Sequence, residues 1–411
     1  MKLRFVILLV CFGSLIALPA CKRKENLQVE VIQPDEPVAV VPDSVFKGPL
    51  IIISGGKYTG NYKSLDSKIP AISIYTTEPV ELTGCLISGA GDLIKCVEAT
   101  NLNIHHNSFY GLTPGNNEQW GRVLNDYRPH TLIFEHNFVE HTGGMLLDHK
   151  DTSANAAINV TIRYNIIRNT DKRKSDLTGG QERSVIQFNT VAKVGGEISW
   201  NQFENLPNRS FLLHNINLYN SGGKSGQPYL IHDNYIKGAY PFPLNANYFV
   251  GSGITVDGDS SSNTMENMSQ FVNAYNNQVI STCNAGMNIA AGHDIHFYNN
   301  TIISSGKYSN GASSDRFWSG CCMWNAANVP TAFFINNYIK DNSIGYVSTD
   351  LVFPKPVRQD FVVVPGNVLS VGPNDNIALP NPITLDVENA ELPKWKAKLA
   401  ANNITIGNVG K

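Results

Sequence analysis

The sequence predicts an all-β fold: a right-handed parallel β-helix of about ten rungs, with three strands per rung and a short C-terminal helix. Eight times, a short apolar strand runs into an asparagine and then directly into a second short strand. Successive copies lie 23 to 43 residues apart, a period typical of solenoid proteins. Only 16% of the 411 residues are charged, and a chain with abundant Gly, Asn, Ser and Thr suits turns between strands better than helices.

The repeated asparagine is predicted to mark the tight corner between the second and third strand of each rung. Asparagine tolerates a left-handed turn conformation, and its amide can bond the backbone or an asparagine one rung away. Gly84 is predicted to occupy the same corner in an earlier rung. The segment from Ile344 to Val352 is predicted to form the first strand of the last rung. The eight positions are Asn107, Asn137, Asn165, Asn201, Asn234, Asn277, Asn300 and Asn337.

The first twenty residues have the pattern of an export signal. A basic start is followed by an apolar run from Phe5 to Leu18, which is too short for a confident membrane span. The sequence Leu-Pro-Ala-Cys that ends at Cys21 resembles a bacterial lipobox, which implies lipidation of Cys21; an ordinary secretory signal with an incidental cysteine is the alternative. Lys22, the residue after this cysteine, favours attachment to the outer membrane. Whether the lipid lies in the periplasmic or the surface leaflet is left open.

The remaining chain divides into three predicted parts. Residues 21–46, rich in Pro, Val, Glu and Asp, are an extended tether. Residues 47–352 are the β-helix. Residues 353–411 are a C-terminal extension in which Leu392, Trp395 and Leu399 have helical spacing, forming a short helix that could shield the open last rung.

Charge and cysteine content restrict the possible partners. The net charge of −2 gives no reason to expect a nucleic-acid binder, and we expect a monomer. Five cysteines follow the signal, so at least one thiol stays free in an oxidising compartment. Their pairing is left open, with buried thiols favoured: Cys85, Cys96, Cys283, Cys321 and Cys322.

Six segments are predicted to be first strands: residues 143–150, 183–190, 209–216, 251–259, 285–292 and 320–326. If their bulky apolar residues point inward, period-two alternation places one row of side chains on the outer face. That row is Asp148, Asn189, His214, Asp257, Ala290 and Trp324. Beside it are Lys150, Gln187, Asp259 and Asn288, with Arg183 and Arg209 at strand entries and Trp318 in a nearby loop.

This polar row suggests acid–base chemistry. A histidine one rung from the carboxylate of Asp257 suits a general base, which makes His214 and Asp257 candidate catalytic residues. Lys150 or Arg183 could neutralise a uronate carboxylate or stabilise an enolate-like intermediate. A ladder of solvated polar side chains is the alternative. The candidate substrate-binding residues are Asp148, Gln187, Asn189, Arg209, Asn288, Trp324 and Trp318.

The segment from Asp257 to Asn263 has oxygen ligands at alternate positions, as a calcium loop would. It lacks the glycine and glutamate that such a loop carries at its sixth and twelfth positions, so a turn rich in Asp and Ser is the alternative. Ca²⁺ at Asp257 and Asp259 is the one cofactor considered.

Over about residues 48–350, the chain resembles the right-handed parallel β-helix proteins of the pectate-lyase-like superfamily, and in particular uncharacterised bacterial envelope lipoproteins of that kind. The resemblance implies a polysaccharide lying along the first-strand face. We therefore expect a cell-envelope lipoprotein that binds polysaccharide and cleaves a uronate-containing glycan by β-elimination. The alternatives are a non-catalytic glycan-binding or adhesion rod, and a glycoside hydrolase using Asp257 with Asp148 or Asp259.

Overall fold

The computed structural model describes residues 45–98, 100–149, 158–191, 193–246, 251–259, 264–350, 356–363 and 375–408. These residues form ten complete coils, each contributing one strand to each of three sheets. The three-sheet parallel β-helix and its number of rungs are therefore confirmed. The predicted signal, Cys21 and most of the tether lie outside the described residues. Within the described part, no helix has the length and apolar character that a membrane span requires.

Each sheet is built from strands that follow one another in coil order. The first sheet contains Leu50–Ile52, Ile72–Ile74, Ile94–Cys96, Leu124–Asp126, Met145–Asp148, Ser184–Asn189, His214–Tyr219, Ser252–Asp257, Ala285–Ile289, Ser319–Met323 and Phe361–Val363. The second contains Gly56–Tyr58, Pro79–Thr83, Thr100–His105, Pro129–Glu135, Asn159–Arg163, Gly195–Ser199, Tyr229–His232, Gln270–Tyr275, His293–Tyr298 and Tyr338–Lys340. The third contains Asn61–Ser64, Leu86–Gly89, Ser108–Gly111, Phe138–Glu140, Ile166–Arg168, Gln202–Glu204, Tyr235–Ala239, Gln278–Thr282, Thr301–Ser304 and Ser343–Ser348, extended by Val357–Arg358 and Ile377–Ala378.

Coils are numbered 1 to 10 in chain order, so that coil 1 begins at Leu50 and coil 10 at Ser319. The segment from Ile344, predicted to be a last first strand, instead belongs to the third sheet of coil 10, where Ser343 pairs with Thr301. An eleventh first-sheet strand, Phe361–Val363, pairs with Cys321–Met323. The first sheet therefore continues beyond residue 352.

The core is a set of columns of apolar side chains inside the coils. Leu147, Phe188, Leu218 and Val256 are neighbours in the first sheet, and all are fully buried. Asp126 occupies the same column, also fully buried. Burial raises the pKa of Asp126 to about 6, although Thr100 Oγ1 donates to its carboxylate at 2.5 Å and the Arg128 N–H at 3.0 Å.

The corner asparagines form a continuous amide ladder. Asn137 Oδ1 accepts both the backbone N–H and Nδ2 of Asn107, each at 3.0 Å, and Asn137 Nδ2 donates to the Ile104 carbonyl at 2.9 Å. The same pattern continues through Asn165, Asn201, Asn234, Asn277 and Asn300 to Asn342 and Asn376.

Three details of the corner prediction are wrong. Asn342, not Asn337, holds the corner of coil 10; Asn337 instead bonds Ile295 and Gly292. In coil 2 the ladder position belongs to Cys85, whose N–H donates to Asn107 Oδ1 at 2.8 Å. The residue with left-handed backbone conformation is the one before the ladder position: His106 precedes Asn107, and Gly84 precedes Cys85. The asparagine is therefore selected for its amide rather than for its backbone conformation.

The C-terminal tail lies along the side of the rod. Two helices, α1 (Leu385–Asn389) and α2 (Glu391–Ala401), confirm the predicted helical segment. Trp395 of α2 is fully buried against Tyr235 of coil 7, and its Nε1 donates to the Asp233 carbonyl at 2.8 Å. The helix therefore covers the third sheet laterally and does not cover the open end of coil 10, because its apolar stripe packs on the outer face of the middle coils.

All five cysteines of the described chain are buried free thiols. Cys96, Cys283 and Cys321 belong to the apolar core. The structure therefore contains the buried thiols that the sequence favoured.

Candidate functional site

The strand register defines the outward row of the first sheet. Asp148 pairs with Asn189, Asn189 with Tyr219, and Tyr219 with Asp257. Ala290 and Trp324 continue the row, since they follow the paired residues Val256, Ile289 and Met323. Three of the predicted alignments are therefore present, but Tyr219 occupies the place predicted for His214.

The predicted position of His214 in the outward row is wrong. It opens the strand of coil 7 and pairs with Ser184 and Ser252, five residues before Tyr219 and so roughly 16 Å from the row. The ring is buried, and its Nδ1 contacts Thr255 Oγ1 at 3.2 Å. Burial and, to a smaller extent, the charge of Lys172 lower the pKa of His214 to about 3. A buried imidazole lacks the access to a glycan that a proton-abstracting base needs.

The remaining predicted residues divide between the face and other places. Gln187 and Asn189 lie on the face, where Gln187 Nε2 donates to Asn189 Oδ1 at 2.7 Å. Asn288 is in the parallel column with Thr255 and Cys322. Trp318 and Trp324 flank the strand Ser319–Met323 at opposite ends.

Arg209 lies in the loop before His214, with Nη2 4.0 Å from Glu140 of the third sheet, and is not at a strand entry. Lys150 lies outside the described residues.

A polar cleft of about 660 Å³ lies where loops enter the first sheet of coils 2, 3, 4 and 6, and it includes Lys95 of the coil 3 strand. Its cationic side chains are Lys68, Lys95, Lys174 and Arg183, and its acidic ones are Asp92 and Glu118. Amide side chains of Asn117, Gln119 and Gln181 also line it. The cleft is thus cationic overall, and its residue Lys95 belongs to the first sheet, where the sequence predicted a polysaccharide.

Arg183 lines this cleft, and Arg122 follows the lining residue Gly121 in the chain. Arg122 is only 5% exposed, and Arg183 is partly buried. Burial lowers the pKa of Arg122 to about 9, with a further contribution from the charge of Arg183. Burial also lowers the pKa of Arg183, while Asp92 and Tyr127 act in the opposite direction.

Tyr127 and Asp148 lie within electrostatic range of Arg122. They follow the paired residues Asp126 and Leu147, so they are neighbours in the outward row. The charges of both act on Arg122, and that of Tyr127 acts on Arg183. The outward row therefore comes within electrostatic range of the cleft residue Arg183.

A second polar cluster lies three coils further along the row. Asn217 Nδ2 donates to Asp257 Oδ1 at 2.9 Å, and the Tyr219 hydroxyl donates to Asp259 Oδ2. Burial raises the pKa of Asp257 to about 7, despite the hydrogen bond from Asn217. This arrangement places two carboxyl groups at or just after one strand end, and burial raises the pKa of one of them towards neutral pH.

The calcium prediction involves the same strand end. Among the described residues, no group of three or more His, Cys, Asp or Glu side chains is arranged to hold a metal ion. Asp257 and Asp259 supply two carboxylates, and residues 260–263, which complete the predicted loop, lie outside the described residues. Calcium binding stays a prediction.

The sequence did not indicate Arg122, Lys95 or Asp92. They flank or occupy the three-residue strands Ile94–Cys96 and Leu124–Asp126, which are too short to show alternation. The spacing from Gly84 to Asn107 and Asn137 would have located these coils, since each must contain one first-sheet strand.

Comparison of the chain with protein-family models, with curated proteins and with solved structures finds no match in any of the three. Arguments about function therefore depend on the geometry of the first sheet.

Proposed function

We propose that this protein binds a polysaccharide along the outer face of the first sheet and cleaves a uronate-containing glycan by β-elimination. The observation that carries the proposal is the cationic cleft where loops enter the first sheet of coils 2, 3, 4 and 6, together with the row of polar side chains on that sheet from coil 5 to coil 8. Neighbouring coils are about 4.8 Å apart, so an extended sugar chain parallel to the axis would meet a new polar side chain at each coil.

β-Elimination needs a base and a group that stabilises negative charge. The base removes the proton from the carbon next to the carboxylate, a double bond forms, and the bond to the glycosidic oxygen breaks as that oxygen takes a proton. Arg183 is the described cleft residue best suited to stabilise the enolate-like charge. Tyr127 is our candidate for the base, because it lies beside Asp148 in the outward row and within electrostatic range of Arg183.

Product analysis on a panel of acidic and neutral polysaccharides tests this function. Products with unsaturated sugar ends, detected by ultraviolet absorbance, are expected with a uronate-containing glycan. Tyr127→Phe should reduce their rate of formation by about a hundredfold or more, in line with the contribution of a general base. Glycan binding without cleavage would instead identify a binding or adhesion rod.

Glycoside hydrolysis is the second candidate, and the Asp257–Asp259 pair favours it. A hydrolase uses one protonated and one ionised carboxyl group about 5–10 Å apart. Asp148 is three coils from Asp257, or roughly 14 Å, which is beyond that range, so Asp259, two residues after Asp257, is the partner that we propose. New reducing ends without unsaturated products, abolished by Asp257→Asn, would establish hydrolysis and exclude elimination.

We further propose that the protein is anchored in the outer membrane through a lipid on Cys21. The support is the lipobox-like sequence at residues 18–21. Cys21→Ala should release the protein from the membrane fraction and abolish its labelling with a radioactive fatty acid. Fatty-acid labelling that persists in this variant would contradict the proposal.

A further inference from the structure

Exposed apolar side chains are concentrated at the N-terminal end of the rod. Eleven large hydrophobic side chains of the described chain are exposed, and seven of them lie between Val45 and Val97. Single exposed apolar residues are common on protein surfaces, whereas a group of neighbours indicates a surface that binds a partner or a membrane. The first three coils therefore differ from the rest of the rod.

The strand register places four of these side chains on the outer face of the first sheet. The paired strands of coils 1 to 3 align Ile53, Tyr75 and Val97 as neighbours in the outward row, about 4.8 Å apart. These three side chains are 75%, 49% and 39% exposed, and Ile51, two residues before Ile53, is 66% exposed. The outward row is thus largely apolar in coils 1 to 3 and is polar from Asp148 of coil 5 onward.

Leu65 and Ile69 extend this group of side chains. They lie in the loop between the third-sheet strand of coil 1 and the first-sheet strand of coil 2, and both are exposed. The loop leads directly to the first sheet, because the Ala71 carbonyl accepts the Leu50 N–H at 2.9 Å. We call these six residues the apolar patch: Ile51, Ile53, Leu65, Ile69, Tyr75 and Val97.

Charged side chains near the apolar patch come in pairs of opposite sign. Asp66 accompanies Lys68 in the loop, and Glu98 accompanies Lys95 beside Val97. Such a balanced surface does not favour a strongly acidic or strongly basic partner. Attraction to this surface would therefore come from the burial of apolar side chains.

The chain also enters the rod at this end. Lys47 forms a bridge with Tyr62 in the third sheet of coil 1, and Cys21 lies 24 residues before Val45. A lipid on Cys21 would hold coil 1, rather than coil 10, within a tether's length of the bilayer, and so at a high effective concentration. Tyr75 is of a residue type that is enriched at membrane–water interfaces. The position of the apolar patch therefore favours a membrane surface as its partner.

We propose that the apolar patch docks on the membrane surface, with its side chains in the interfacial region of the bilayer. The inference rests on the proposed lipid anchor, which brings the rod to the membrane, and not on glycan cleavage. Contact limited to coils 1 to 3 leaves the polar part of the outward row, in coils 5 to 8, open to a polysaccharide. A small patch binds weakly and reversibly by itself, so release of Cys21→Ala from the membrane fraction is still expected.

Flotation with phosphatidylcholine vesicles tests the docking in full-length Cys21→Ala protein, which carries no lipid of its own. All variants made in this parent share the same first 44 residues, so differences in binding report on the patch. Ile53→Asp should lower the vesicle partition coefficient by about tenfold or more, because it withdraws one large apolar side chain and adds a charge. Added sodium chloride should not release the parent, since the attraction is apolar. The matched control is Ile133→Asp, at an exposed position of the second sheet in coil 4, which should bind as the parent does.

The other outcomes of this experiment separate the docking from its alternatives. Failure of the parent to bind, equal binding by the parent and Ile53→Asp, or an equal loss in both variants would overturn the proposal. Sedimentation velocity that shows a dimer of the parent, dissociated by Ile53→Asp, without vesicle binding would identify a second copy of the chain as the partner and would also overturn it. Both substituted positions are exposed, so unchanged melting temperatures should confirm that the variants fold. Patch-dependent vesicle binding, together with wild-type protein that takes up no fatty acid, would overturn the anchor and support the docking.

Discussion

Each ladder asparagine satisfies groups from three coils at once. Asn165 Oδ1 accepts the N–H of Asn137, and Asn165 Nδ2 donates to the Phe134 carbonyl at 2.8 Å and to Asn201 Oδ1 at 2.9 Å. The site is fully buried. Water therefore cannot replace these bonds if the amide is removed.

Asn165→Ala should lower the free energy of unfolding by about 2–4 kcal/mol, because it leaves at least two buried backbone groups without partners. Denaturant unfolding followed by circular dichroism measures the change. Asn116→Ala, at an exposed loop position, is the control and should change stability little. Equal losses in the two variants would show that the ladder bonds do not stabilise the corner.

His232 should make stability depend on pH. Burial alone would lower its pKa, but hydrogen bonds to Asp233 at 2.7 Å and Glu197 at 3.0 Å outweigh burial and raise it from 6.5 to about 9. The stability from the charged imidazole is thus complete below about pH 6.5 and is lost as the pH rises through 9. The loss should not exceed about 3 kcal/mol.

Urea unfolding at pH 6 and pH 9 measures this effect. Wild type should lose more stability between the two pH values than His232→Gln, whose side chain does not titrate. A variant with the same pH dependence as wild type would contradict the assignment.

At the scale of elements, the docking of α2 depends on one buried aromatic side chain. Trp395→Ala should destabilise the docked tail by about 3–5 kcal/mol, the range for a large aromatic residue removed from a core. Hydrogen exchange in residues 385–408 should accelerate while exchange in the coils changes little. Lys396→Ala, at an exposed position of the same helix, is the control; equal exchange in both variants would exclude this role for Trp395.

The strand of coil 7 shows why the phase of a strand is harder to predict than its existence. The run Phe211, Leu212 and Leu213 has the apolar character of a strand, but it belongs to the turn before it. The true strand, His214–Tyr219, has buried asparagines at positions 215 and 217 beside its two core residues. Polar residues that are satisfied by hydrogen bonds inside a fold cannot be distinguished from exposed ones by hydropathy alone.

At the scale of the whole molecule, repetition made the fold predictable. The corner bonds join each coil to the next, so the asparagine period indicated the number of rungs and the order of the three strands. The position of the tail could not be read in the same way. Its helical pattern is local, but its partner Asp233 lies 162 residues away, and no periodicity connects them.

Removal of residues 384–411 should divide the unfolding of the protein into separate steps. In a solenoid each repeat contacts only its neighbours, whereas this tail contacts Ser305, Gln278, Asp233, Tyr164 and Ser108 in succession. The full chain should therefore unfold more cooperatively than the truncated one. Calorimetry measures this, and a single sharp transition in the truncated chain would contradict it.

The path of the tail also makes the two ends of the rod differ in their resistance to a pulling force. Contacts of the tail run from coil 10 back to coil 3, so the late coils cannot unwind under tension until this lateral strap has been peeled away. None of the described tail contacts reaches coils 1 and 2. A pulling force should therefore open the rod first at its N-terminal end.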